Sequence, residues 1–413
     1  MAADSAPRHA HGPFAKGFFR NEDFDFDVRG ILGQAVSGGS DVGEVLAALE
    51  SVGDKDHDAW YQAWFDLGSR LAKSADASAA AGHDRTAASE YLRAANYFGI
   101  AVNAVASLKD TDRLVPTFRA HRDAWDRYVD TTDEPIERVA IPYESTTLPG
   151  YLFTAGGEGP HPTLIMVNGS DGSISSLRGS GAAAAVARGY NVLLFDGPGQ
   201  QSMLFEQNTS FRPDWEAVIT PVIDFLVARS EVDSTRLAIY GISQAGYWVP
   251  RALAFEHRIA AAIADPGVVD VSTSWTSHLP SSLTKLLEDN ETEKFDRELG
   301  FGLKLSPETE RTWNFRARPY REDGFAATID AVKKYALGAE AAKISTPLFI
   351  TAPDDEQFWP GQSQKLAELT SAVSTLVPFT AAEGANYHCQ PLARTLTHNR
   401  MLDWLDERLN PEK

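Results

Sequence analysis

The chain has 413 residues and a formal charge of −19, from 38 basic against 57 acidic side chains, with 43% hydrophobic, 23% charged and 10% aromatic residues. This length fits one large α/β domain plus an accessory module, and the composition is that of a globular chain, which excludes wholesale disorder. Such acidity repels phosphate backbones and anionic lipid, so no nucleic acid and no membrane is expected as a partner. The single cysteine, Cys389, excludes an intrachain disulfide and any Cys-cluster metal site. Met1–Arg20 holds no apolar core of a signal peptide and reads as a flexible tail over residues 1–20. The longest apolar runs, Leu164–Val167 and Val192–Phe195, are strand-sized, so a cytoplasmic location is expected.

Residues 21–134 read as an N-terminal helical domain. Trp60, Trp64, Leu67 and Leu71 fall on one helical face, and Ala87, Ala88, Tyr91, Ala94, Ala95 and Phe98 repeat the pattern. Thr117–Tyr128 suggests a third helix. From residue 135 to 413 the texture changes. Arg138–Tyr143 and Gly150–Thr154 read as paired strands, and Thr163–Val167 as a buried strand. Then follow a helix at Ala182–Arg188, a strand at Val192–Phe195, a helix at Trp215–Val227, a strand at Leu237–Tyr240, a helix at Gly246–Phe255 and a strand at Ala260–Ala264. Leu348–Thr351 and Thr375–Phe379 are later strands, and Ala393–Leu405 a closing helix. Such alternation implies a mostly parallel sheet with helices on both faces, the α/β class. It lapses over about 266–342, a mostly helical cap insertion expected over the C-terminal ends of the strands, where ligands bind.

Leu237-Ala238-Ile239-Tyr240 runs into Gly241-Ile242-Ser243-Gln244-Ala245-Gly246 and then a helix, the strand–turn–helix context of a nucleophile elbow. Small residues are needed two before and two after the serine because strand and helix nearly touch there; Gly241 and Ala245 supply them. The acid and the histidine must follow in that order. Asp354-Asp355-Glu356 comes after the strand Pro347–Thr351, and Asp355 is the expected acid, with Asp354 as the other candidate. His388 follows a strand and a Gly-containing loop. Of the ten histidines it alone has the right order and setting, so it is the expected general base. No histidine pair has zinc-ligand spacing, and neither metal nor cofactor is expected.

The loop Asn168-Gly169-Ser170-Asp171 after an earlier strand should provide the second oxyanion donor, the Ser170 amide pairing with that of Gln244. Asp171 has two readings. It either meets the substrate, or serves as a turn-forming residue facing solvent.

Asp196-Gly197-Pro198-Gly199-Gln200, Gly241-Ile242-Ser243-Gln244-Ala245-Gly246-Tyr247, Pro250-Arg251 and Glu383-Gly384-Ala385 before His388-Cys389 together resemble the α/β-hydrolase family. The resemblance is to its branch with an N-terminal helical domain. That branch includes 2,6-dihydroxypseudooxynicotine hydrolase, fermentation-respiration-switch esterase-like proteins and fungal polyketide-shortening hydrolases. It implies Ser243, Asp355 and His388 as the triad, and Asp171 at a position where carbon–carbon hydrolases of the branch place an acid that engages substrate. Members are often homodimers, so a homodimer is an expectation of the resemblance alone. The leading reading is hydrolysis of a small carbonyl compound, by cleavage of a carbon–carbon, ester or amide bond through a Ser243 acyl-enzyme. Asp171 with Trp60, Tyr97, Trp275 and Trp313 points to an aromatic or polyketide-like substrate, the other reading of these aromatics being plain core packing. The same pocket could instead serve a cyclase, dehydratase or acyltransferase, or a non-catalytic ligand-binding protein. Cys389, beside His388, reads as a small packing residue.

Overall fold

The computed structural model describes residues 17–409. Residues 1–16 of the expected tail lie outside this range. Phe19 is packed, edge-on to Phe24 and Trp60 with centroids 5.7 and 5.4 Å away.

Helices come first: α1 (Glu22–Gly33), α2 (Val42–Leu49), α3 (His57–Ala80), α4 (Asp84–Ala104) and α5 (Leu114–Thr131). Side chains of Asn21, Asp41 and Asp56 accept amide hydrogen bonds at the starts of α1, α2 and α3, fixing where each begins. Trp60, Trp64, Leu67 and Leu71 form the buried face of α3. A Cβ at Gly68 would lie 2.9 Å from the Phe98 ring, so this glycine sets how closely α3 and α4 approach.

The strands are β1 (Ile136–Tyr143), β2 (Thr146–Phe153), β3 (His161–Val167), β4 (Asn191–Phe195), β5 (Val232–Ile242), β6 (Ala261–Asp265), β7 (Leu348–Pro353) and β8 (Ser374–Phe379). They form one sheet in the order β1-β2-β4-β3-β5-β6-β7-β8. The pairs β1–β2 and β2–β4 are antiparallel and the rest parallel. Interleaved with them are α6 (Ala183–Ala187), α7 (Gln201–Phe205), α8 (Glu216–Val227) and α9 (Ala245–Leu253). The insertion holds α10 (Thr273–Thr276), α11 (Ser281–Glu288), α12 (Thr292–Leu305), α13 (Pro307–Ala317) and α14 (Phe325–Val332); α15 (Gln362–Leu369) and α16 (Arg394–Leu409) complete the chain.

Strand alternation divides the core. Leu164 and Met166 of β3 face a layer shared with the N-terminal helices and α16. Ile165 and Val167 face the opposite layer, against α8 and α9. The insertion has its own small core around Phe295, Leu299 and Ile329. Among the described residues no helix is long and apolar enough to cross a membrane.

At the end of β6 the side chain of Asp265 is fully buried. Its carboxylate accepts from Tyr240 Oη at 2.7 Å, Thr351 Oγ1 at 2.6 Å and Gln390 Nε2 at 2.9 Å. Its backbone carbonyl accepts the Ser243 amide at 2.6 Å. One residue therefore joins β5, β7, the elbow and the segment before α16. Asp265→Ala would strand several buried donors, so urea unfolding should show a loss of about 3–5 kcal/mol. A loss below about 1 kcal/mol would contradict this role.

Candidate active site

Ser243 sits between β5 and α9 with φ of 58°, in the left-handed region that costs a side-chain-bearing residue free energy. The neighbours explain how the turn is tolerated. A Cβ on Gly241 would collide with the Ala245 carbonyl oxygen, and one on Gly246 with that of Pro266. The strain turns the Ser243 hydroxyl out of the sheet, over the C-terminal ends of the parallel strands.

His388 Nε2 lies 2.9 Å from Ser243 Oγ, so the structure brings the serine and histidine together. The acid differs from expectation. His388 Nδ1 is 2.8 and 2.9 Å from the two carboxylate oxygens of Glu356, and its ring makes no hydrogen bond or ion pair with Asp355. Asp355 is exposed. It is held by a parallel bridge to Tyr387, and its carboxylate accepts from Asn386 Nδ2 at 2.6 Å. Asp354 accepts from the Ala381 amide at 3.2 Å. The two aspartates thus tie down the loop before the histidine, and the longer side chain of the third acid in the run reaches the imidazole. The amides of Phe358 and Trp359 also donate to Glu356, at 3.0 and 3.2 Å, fixing its orientation. Sequence reasoning stopped one residue short. The available signal was that the run after β7 holds three acids.

The second loop is equally constrained. A Cβ on Gly169 would lie 2.8 Å from Ser243 Cβ, so only glycine lets this loop pass so close. Gln200 braces it, donating to the Asn168 and Gly169 carbonyls at 2.7 and 3.1 Å while accepting from the Gly197 amide at 2.7 Å. The Asp-Gly-Pro-Gly-Gln motif is therefore a buttress. Asp196 in it pairs with Arg122 Nη2 at 2.5 Å and so anchors α5. Among the described residues the amides of Ser170 and Gln244 have no intramolecular acceptor, and both residues border the same cavity as Ser243.

That cavity has a volume of about 360 Å³ and is walled by α1, α4, the core loops and the insertion. Trp60 and Trp275 line it. Tyr97 and Trp313 do not: Tyr97 packs on Trp64 and donates to Glu44, and Trp313 stands edge-on to Trp275 and Phe325. Asp171 borders the cavity and is also exposed, with its carboxylate accepting from Ser170 Oγ at 3.1 Å, so it is open to both solvent and cavity. Among the described residues no cluster of acidic, histidine or cysteine side chains could hold a metal ion.

Residues 176–299 match the prolyl oligopeptidase family. Hydrolase LUC6 of Fusarium sp is 31% identical, with 94% of this chain and 97% of that protein aligned. 20-hydroxy-prefusarin hydrolase FUS2 of Gibberella moniliformis is 34% identical over 64% of this chain and 65% of its own length. The solved structure of 2,6-dihydroxy-pseudo-oxynicotine hydrolase shares the fold with a TM-score of 0.73 at 20% identity, covering 92% of this chain and 97% of that one. The chain belongs to the α/β-hydrolase family.

The charges of this hydrolase are set by burial and by pairing. Burial opposes ionisation of Glu356, but His388 and the two loop amides outweigh it and hold the carboxyl below its ordinary range. Burial opposes the imidazolium of His388, yet its neighbours Cys389 and Glu356 raise its pKa well above the ordinary value. Burial pushes the Cys389 thiol up, which makes it a poor nucleophile, and its Sγ lies 3.2 Å from the Asp265 carbonyl oxygen. Only neutral His388 can take the serine proton. The rate at which a fluorophosphonate modifies Ser243 should therefore rise with pH through a midpoint above about 6.5. Glu356→Gln removes the negative charge that favours the imidazolium, so it should move the midpoint down, while Asp355→Asn leaves it in place. A midpoint moved by Asp355→Asn and not by Glu356→Gln would restore Asp355 as the acid.

Proposed function

We propose that this hydrolase acts through an acyl-enzyme on Ser243, opening a small aromatic or polyketide-like carbonyl compound. The observation that carries the reading is the chain of contacts from Ser243 Oγ through His388 to the buried Glu356 carboxylate, 2.9 and then 2.8 Å. His388 takes the hydroxyl proton as Oγ bonds to the substrate carbonyl carbon, and Glu356 steadies the imidazolium. The carbonyl oxygen takes up negative charge against the amides of Ser170 and Gln244. As the tetrahedral intermediate collapses, the bond to the leaving group breaks and His388 delivers its proton there. The group leaves as an alcohol or amine, or, where a carbon–carbon bond breaks, as a carbanion that leaves protonated as a ketone. Water, deprotonated by the same imidazole, then releases the acid and restores Ser243.

The walls of the cavity support the substrate class. Two tryptophans line it, and flat apolar surface suits rings and conjugated chains. One relative is named for hydrolysis of 20-hydroxy-prefusarin. Asp171, set in the same cavity, is held above the ordinary carboxyl range by burial, which Ser170 and the more distant charges of Arg316 and His388 oppose. The role proposed here for Asp171 is to hydrogen-bond a polar group of the substrate.

Short p-nitrophenyl esters and an acylphloroglucinol, supplied separately, distinguish ester from carbon–carbon cleavage. Ser243→Ala should lower kcat on whichever is turned over by ~10,000-fold or more. Retention of both activities in that variant would remove Ser243 as the nucleophile.

A further inference from the structure

Arg318 follows α13 and borders the cavity that holds Ser243 and His388. Its guanidinium carbon lies 5.0 Å from the Phe205 ring and 5.5 Å from that of Phe315. Its Nε is buried without a hydrogen-bond partner, and among the described residues no carboxylate forms an ion pair with it. Other interior arginines are matched: Arg122 by Asp196, Arg178 by Glu134, and Arg394 by the carbonyls of Cys389 and Ser180. The loop is fixed in place, since the Pro319 carbonyl accepts the Phe211 amide at 2.9 Å. Burial brings the pKa of Arg318 down to about 10, which still leaves it charged near neutral pH.

A half-buried cation with no carboxylate partner and a sealed Nε carries a desolvation cost, and a bound anion relieves it. The acids of the cavity do not fill this role. Glu308 is engaged by His57 and Arg311, at 2.8 and 2.7 Å. Asp171 bears on Arg318 only at longer range, and burial raises its pKa. Burial, with Asp171 and Asp23 adding repulsion, raises Asp27 well above the ordinary range. A second cavity cation, Arg316, stands 5.4 Å from the Phe358 ring, and that ring is edge-on to His388 at 4.7 Å.

We propose that Arg318, with Arg316 lining the same cavity, receives an anionic oxygen of the substrate, either a carboxylate or the ionised enol of a β-dicarbonyl, whose carbonyl Ser243 attacks. This deepens the serine-hydrolase reading and rests on it for its place in turnover. Binding can be measured without turnover. Calorimetry on full-length Ser243→Ala protein near neutral pH would compare benzoate, dehydroacetate (an ionised enol) and neutral benzamide. At least one anion should bind about tenfold or more tightly than benzamide. Benzoate alone, dehydroacetate alone, or both would identify the source as carboxylate, enolate or any such oxygen anion. Adding Arg318→Met should abolish the preference and Arg318→Lys should retain part of it, with Arg318→Gln as the second neutral variant should the Met form fail to fold. Anions that bind no better than benzamide, or a preference that survives in a folded neutral variant, would overturn the proposal. Fluorophosphonate labelling of wild-type Ser243 reports separately on the serine-hydrolase reading, so the two can fail independently.

Discussion

The site depends on one buried carboxylate. Asp265 lies at the end of β6, and its two oxygens accept from β5, β7 and the segment before α16, while its carbonyl holds the Ser243 amide. A charge sealed inside a protein is tolerated only when its hydrogen-bonding capacity is used. Here that use fixes the Ser243 turn and the strand that precedes Glu356 in one frame. The same carbonyl meets Cys389 Sγ, next in sequence to His388, so the segments carrying Ser243, Glu356 and His388 are all referenced to one residue.

The strained serine is the second element of that frame. Holding a non-glycine residue at a positive φ costs on the order of 1–3 kcal/mol, which the surrounding packing must offset. Glycines at 169, 241 and 246 let two loops and a helix close on Ser243, where any side chain would collide or crowd. Gln200 and Arg122 then extend the frame outward, bracing the loop at Gly169 and anchoring the helical domain to Asp196. The helical domain and the insertion roof the cavity from opposite sides, and the pair His57–Glu308, at 2.8 Å, joins them. The cavity is therefore walled by both modules while staying open to solvent on one side.

Much of this was legible in the sequence. Strand–helix alternation, the elbow around Ser243 and the order of serine, acid and histidine reflect local rules, and they led to the sheet, to Ser243 and to His388. The carboxylate partner of His388 was missed because Asp354, Asp355 and Glu356 are alike in type and adjacent. Which of them faces the imidazole depends on the bridge at Tyr387, a contact between segments distant in sequence. The aromatics show the same limit. Trp60 and Trp275 border the cavity, while Tyr97 and Trp313 are packed elsewhere, and composition alone could not separate them. Arg318 gave no sequence signal at all, since its lack of a partner arises only when the insertion folds over the core.

The most direct test of the account is to trap the covalent intermediate. Acid quenching during turnover of a p-nitrophenyl ester, followed by peptide mass analysis, should place the acyl group on Ser243 and on no other residue. Turnover with the acyl group on Cys389, or with no acylated peptide and no burst of p-nitrophenol, would contradict it.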